Sequence, residues 1–213
     1  RIDPWGVYFR TQSVHDNMAI IMVNTQLDGC EGAQNLKTEV ALLDQNDKVI
    51  TSKCINAGER GANTFTFNIS DPKLWSPESP SLYTLKTRLF KGNKLIDETT
   101  QHVGIRTVSI TKEHGFQLNG ISRKFKGVCL HHDLGPIGTA VNKAAIIRQI
   151  RLMKDMGADA IRTSHNMPSQ MQMDVCDSMG MMVMAESFDA WKEPKVKNGY
   201  NRFYDEWWQK DLS

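Results

Sequence analysis

The chain of 213 residues has few cysteines, almost no net charge and no long apolar run. Its four cysteines, Cys30, Cys54, Cys129 and Cys176, form no CxxC pair, which excludes a zinc ribbon and a thioredoxin-type motif. Cys30 and Cys54 share the first half, but no Trp lies between them as a sandwich-bridging disulfide would want. Free, buried thiols are therefore expected. No stretch approaches the ~20 apolar residues that cross a bilayer. The opening RIDPWGVYFR lacks the charged-then-apolar pattern of a signal peptide. These absences predict a soluble chain, cytoplasmic or periplasmic, with no membrane partner. A net charge of +2, with basic residues spread out, gives no footprint for nucleic acid. Internal repeats and low-complexity segments are also missing.

What is present divides into two patterns. Residues 1–107 read as all-β. Phe65, Phe67 and Ile69 alternate with Thr64, Thr66 and Asn68, and Tyr83, Leu85 and Leu89 alternate with Thr84, Lys86 and Arg88. Period-two alternation means a sheet with one wet face. Further strands are predicted over 19–26, 37–43, 48–55 and 95–103, separated by turn signals such as Asp28-Gly29, Asn46-Asp47 and Gly92-Asn93. About seven short strands in roughly 100 residues is the profile of an immunoglobulin-like β-sandwich. The two prolines of LWSPESPSLYTL forbid a helix or a central strand there. That segment should be a rigid crossover pinned by Leu74 and Trp75.

After Arg106 the period changes, and a border is expected near residues 106–112. Asn119-Gly120 marks a hairpin turn. A strand over 124–130 precedes a helix over 141–156 striped by Ile146, Ile147, Ile150 and Met153. A second strand follows over 158–163. Pro168 is placed at the opening of the next helix, striped by Met171, Val175 and Met179 and closed by Gly180. Residues 181–185 are apolar throughout, as in a parallel strand buried on both faces. Residues 202–212 suggest a last helix with Phe203 and Trp207 at i, i+4. The order β–α–β–α–β–α over 108–213 is at most half of a (β/α)8 barrel, which takes about 250 residues. The fold class is thus multidomain: a β-sandwich followed by a partial TIM barrel.

Polar residues gather where the barrel strands stop: His131, His132 and Asp133; Arg162, Ser164, His165 and Asn166; Glu186, Asp189 and then Trp191. Parallel strand ends converge on one mouth. Hydrogen-bonding side chains with one aromatic face suit a sugar. Each also has a plainer role. A lone histidine is often structural, Arg162 could be a buried ion-pair residue, and Glu186 could be a general acid or a structural carboxylate. A metal held by the histidines is the weaker alternative, because no HxH or HExxH spacing fixes ligands on one element.

GVCLHHDLGPIG, IRTSHNMPS, CDSMGMMVMAESFDAW and LWSPESPSLYTL together resemble family 2 glycoside hydrolases, in order and across essentially the whole chain. The resemblance implies a retaining β-glycosidase, most simply a β-galactosidase, with β-glucuronidase and β-mannosidase behind it and a β-galactoside or related carbohydrate as partner. It implies that His131 and His165 line the sugar subsite, flanked by Arg162 and Asn166, and that Glu186 belongs to a strand-three Asp-Glu pair whose first member is Ala185 here. Asp189 matches a carboxylate that helps hold a divalent cation in some members. The histidine expected two residues later is Trp191, so no metal and no cofactor are expected. The family's acid/base sits in an Asn-Glu pair at the end of strand four and its nucleophile lies later. No Asn-Glu dipeptide occurs in the sequence. The chain is therefore expected to be a fragment without catalytic residues, inactive alone, and prone to homo-oligomerise through exposed barrel strands. The rival expectation is a non-catalytic carbohydrate-binding or interaction module.

Overall fold

The computed structural model describes residues 1–30, 33–58 and 61–212, with Lys210 described by its backbone alone. The chain gathers into two compact units, Arg1–Arg123 and Lys124–Ser213.

The first unit opens with β1 (Ile2–His15), β2 (Met18–Leu27), β3 (Leu36–Leu43), β4 (Val49–Asn56), β5 (Asn63–Ser70), β6 (Tyr83–Lys91) and β7 (Lys94–Val103). They form two antiparallel sheets, β1-β2-β5 and β4-β3-β6-β7. Alternate residues of β5 and β6 turn inward, so Phe65, Phe67, Ile69, Tyr83 and Leu85 meet Ile21, Val23, Val40 and Leu42 in one core between the sheets. The anticipated alternation is present in full along β5. The crossover is pinned as expected: Trp75 is buried, its N–H bonds the Ile105 carbonyl at 2.9 Å, and Leu74 packs on the core.

β1, the longest strand, escapes the alternation rule. Its pairing with β2 slips between Ile2 and Val7 and again between Thr11 and Ser13. Each bulge resets which face a side chain takes. Pro4 is tolerated because β1 is an edge strand. Three further short strands close this unit, β8 (Val108–Thr111), β9 (Gly115–Leu118) and β10 (Ile121–Ser122). Asn119 and Gly120, both at positive φ, make the tight turn between β9 and β10. These strands group with the first unit.

The second unit is a parallel sheet of β11 (Gly127–Leu130), β12 (Ala160–Thr163) and β13 (Met182–Met184), in that order. Helix α1 (Lys143–Asp155) joins the first two strands, and α2 (Gln170–Met179) the second two. Ile146 and Ile150 of α1 pack with Val175 and Cys176 of α2 over Ile161 of β12. Asn142 caps α1, its side chain accepting from the Ala145 N–H at 3.0 Å. Ser169 caps α2, accepting from the Gln172 N–H at 3.2 Å, so Pro168 lies one residue before the cap and not at the first helical position. Proline has no side-chain acceptor, so it stands just before the cap. Gly180 ends α2 at φ +69°, the left-handed region open to glycine.

Three expectations change here. β13 is not buried along both faces: Val183 packs towards the helices, whereas Met184, on the opposite face, is exposed, although Met182 on that same face is buried. The last helix, α3 (Tyr204–Leu212), buries Tyr204 and leaves Trp207 exposed, and Phe203, just before it, is exposed as well. The thiols are free, but only Cys176 is buried; Cys54 lies on the edge strand β4, Cys129 on the uncovered face of β11, and both are exposed. Burial holds the Cys176 thiol up at about 12. Among the described residues, no helix is long and apolar enough to cross a membrane.

Candidate functional site

The C-terminal ends of β11, β12 and β13 lie side by side because the strands are parallel and in register, with Leu130 opposite Thr163 and Arg162 opposite Met184. A short polar segment follows each end. The segments after β12 and β13 are tied together twice. The Glu186 N–H donates to Thr163 Oγ1 at 3.0 Å, and Asn166 and Phe188 pair as an isolated antiparallel bridge.

His165 is the hub. Its Nδ1 lies 2.8 Å from Glu186 Oε1. A carboxylate accepts, so Nδ1 carries a proton and Nε2 is the ring nitrogen that Glu186 does not engage. That nitrogen stands 4.0 Å from Asp189 Oδ1. The other Glu186 oxygen, Oε2, is 2.7 Å from Arg162 Nη2, a charge contact rather than an aligned hydrogen bond. Arg162 Nη1 also reaches Cys129 Sγ at 3.6 Å. Arg162 therefore does form an ion pair, but one that is partly open to solvent and not buried. The His131 ring meets the His165 ring edge-on, centroids 5.8 Å apart. His132 turns back to its own loop, its Nε2 3.0 Å from the Thr139 carbonyl oxygen. Asn166 spends its amide on the Met167 carbonyl, 2.9 Å away.

Asp189 is held by Lys195 at 2.6 Å. That ammonium, with smaller contributions from His165 and His131, keeps the Asp189 carboxyl below its usual range. A neutralised carboxylate beside an indole is a poor cation site, and Trp191 offers no donor atom. These residues do not fit a divalent ion. Among the described residues, no group of three or more His, Cys, Asp and Glu side chains could hold one.

Trp191 is exposed and sits against an aromatic stack. Its ring stacks on Tyr204 at 5.9 Å and meets Phe188 edge-on at 6.5 Å. Phe188 stacks on Tyr200 at 4.9 Å, and Tyr204 on Trp208 at 6.2 Å. Of the seven residues anticipated at this mouth, the geometry joins His131, His165, Arg162, Glu186 and Asp189 in one polar cluster. Asn166 is linked through its backbone and Trp191 through Phe188. Lys195, Phe188 and Tyr204 were missed. The spacing Tyr200, Tyr204, Trp208 at i, i+4, i+8 was the readable signal for the stack.

Comparison with known proteins accounts for both units. Residues 1–106 match glycosyl hydrolases family 2, and residues 108–205 match the TIM barrel domain of glycosyl hydrolases family 2. A β-galactosidase of Bacteroides ovatus is 37% identical over 98% of this chain, and a β-glucuronidase of Felis catus is 34% identical over 74% of it. The crystal structure of a β-glycosidase from Bacteroides vulgatus superposes on 99% of the chain with a TM-score of 0.90 and 36% identity, using 27% of that protein. The chain spans about a quarter of the length of these curated relatives, 25% and 24% respectively.

Proposed function

The chain belongs to glycosyl hydrolase family 2, and on that premise we propose that it supplies the β-sandwich and part of the sugar-binding wall of a retaining β-glycosidase, with a β-galactoside as substrate. The carrying observation is the relay Arg162–Glu186–His165 at the parallel strand ends. Both Glu186 oxygens are engaged, so Glu186 orients and does not donate a proton to a leaving group. Its task is to fix the His165 ring, whose second nitrogen, Nε2, then meets a sugar hydroxyl at little cost of reordering. His131, Arg162, Asn166, Asp189 and Trp191 complete this part of the wall. The two catalytic glutamates, which retaining chemistry places about 5 Å apart, are assigned outside this chain. The border between sandwich and barrel is proposed at 107/108.

A neutral sugar is favoured over a uronic acid by the cluster's own charges. Recognising a sugar carboxylate takes an available cation. Arg162 is engaged by Glu186, and Lys195 by Asp189. The identity with a β-glucuronidase keeps the uronic acid as the second reading.

The test is an assay of the complete gene product and of residues 1–213 alone on nitrophenyl β-D-galactoside and β-D-glucuronide. The complete protein should cleave the galactoside with retention at the anomeric carbon, and 1–213 alone should not turn over either. Turnover by purified 1–213 that Glu186→Gln abolishes would make Glu186 the acid. Binding without cleavage by the complete protein would favour the carbohydrate-binding module.

A further inference from the structure

Exposure rises outward across the strand-end cluster. The side chain of Glu186 is 23% exposed, His165 35% and Asp189 52%, and Trp191 is 64% exposed. An exposed indole offers apolar surface that gains by leaving water. One face of Trp191 is already occupied by Tyr204, itself buried at 7% exposure, with Trp208 stacked behind it. Phe188 braces the indole edge-on, and Phe188 is fixed to the end of β12 through its bridge with Asn166. The ring is thus held from behind and from the side, and it is more exposed than the carboxylate, two residues earlier in the chain, that faces His165.

We propose that Trp191 is a leaving-group shelf: the braced indole receives the apolar face of the aglycone or of the second sugar, while the His165 cluster holds the sugar to be released. The inference rests on the reading of this end as a sugar wall. A pocket that cuts terminal sugars takes the terminal residue at its deep end and lets the leaving group point outward, so depth assigns the role. The aromatic face attracts ring C–H bonds or an aryl group without demanding particular hydroxyls. The shelf should therefore accept varied leaving groups and reward flat, apolar ones. Tyr204 and Trp208 act through Trp191 as positioning residues. Their stack fixes the indole so that little rotamer entropy is lost when a ligand arrives.

The experiment uses the complete protein and compares kcat/KM for a phenyl and a methyl β-D-galactoside in the wild type, Trp191→Ala, Trp191→Phe and His165→Ala. Trp191 is exposed, so its replacement should leave the fold intact. In Trp191→Ala the phenyl-to-methyl ratio should fall by about three- to tenfold, mostly through KM, and Trp191→Phe should restore most of it. His165→Ala should lower both substrates alike and leave the ratio unchanged. An unchanged ratio in Trp191→Ala would overturn the shelf, whether both rates fall together or neither moves. Wild-type rates in His165→Ala would instead overturn the wall reading, so the two failures are distinguishable.

Discussion

In the sandwich, every second residue of β5 and β6 is buried against a facing sheet, whereas the parallel strands β11–β13 are covered by α1 and α2 on one face and leave Cys129 and Met184 exposed on the other. The first arrangement closes its core with its own strands. The second spends its uncovered side on exposed groups and its strand ends on polar ones. Parallel sheets ordinarily bury both faces. In a chain that spans about a quarter of its relatives' length, the open face and the row of strand ends are what this part of a barrel presents. The polar cluster of His165, Glu186 and Arg162 sits there, and no comparable cluster of engaged histidine and carboxylate is described in the sandwich.

The sharpest way to break this comparison is to remove one large core side chain from each unit. Phe65→Ala should destabilise the sandwich by about 3–5 kcal/mol, and Ile150→Ala the second unit by about 2–5 kcal/mol. Hydrogen exchange during denaturant titration reads each unit separately. Phe65→Ala should speed exchange in β2 and β5, and Ile150→Ala in β11–β13. If Phe65→Ala cost no more than a surface change, the sandwich core described above would be wrong. A smaller effect comes from the helix cap. Ser169→Ala should cost about 1 kcal/mol, measured by urea unfolding, while Pro168→Ala should cost less. The reverse order would return the start of α2 to Pro168.

The smallest effect belongs to the sandwich crossover. Arg123 binds Glu78 at 2.8 Å and holds its carboxyl down at about 2 from an ordinary 4.5. The folded pKa is lowered, so the contribution is complete above about pH 4.5 and is lost as pH falls toward about 2. Glu78 is 67% exposed, and solvent screening limits the pair to under about 1 kcal/mol. Glu78→Gln should flatten the acid limb of the stability curve in that window and leave pH 7 nearly unchanged. An unaltered acid limb would remove the pair from the account.

What could be read from the sequence depended on whether a local period survived the tertiary structure. β5 and β6 were legible because strict alternation matches their two environments. β1 was not, because two bulges and Pro4 break the period over 14 residues. Phe203, just before α3, and Trp207 have the spacing of a buried stripe, but the ring of Phe188 comes from another segment and packs on Tyr204 instead. The site followed the same rule. Parallel strands force their ends together, so the grouping of His131, Arg162, His165, Glu186 and Asp189 was readable from βα order alone. Which carboxylate would engage which ring nitrogen was not, and Lys195 reaches Asp189 only through the course of the loop after β13.

The central claim is that Glu186 serves the strand-end wall by fixing His165, and a double-mutant cycle in the complete protein tests it most directly. His165→Ala and Glu186→Gln should each lower kcat/KM on a nitrophenyl β-D-galactoside by about tenfold or more, with thermal unfolding little changed. The double variant should lose less than the product of the two, a coupling of about 1 kcal/mol or more, because Glu186 acts through the ring it orients. Losses that simply multiply would contradict the claim that Glu186 acts through the ring, and wild-type kcat/KM in both single variants would leave the histidine and the glutamate as structural groups at an unused barrel mouth.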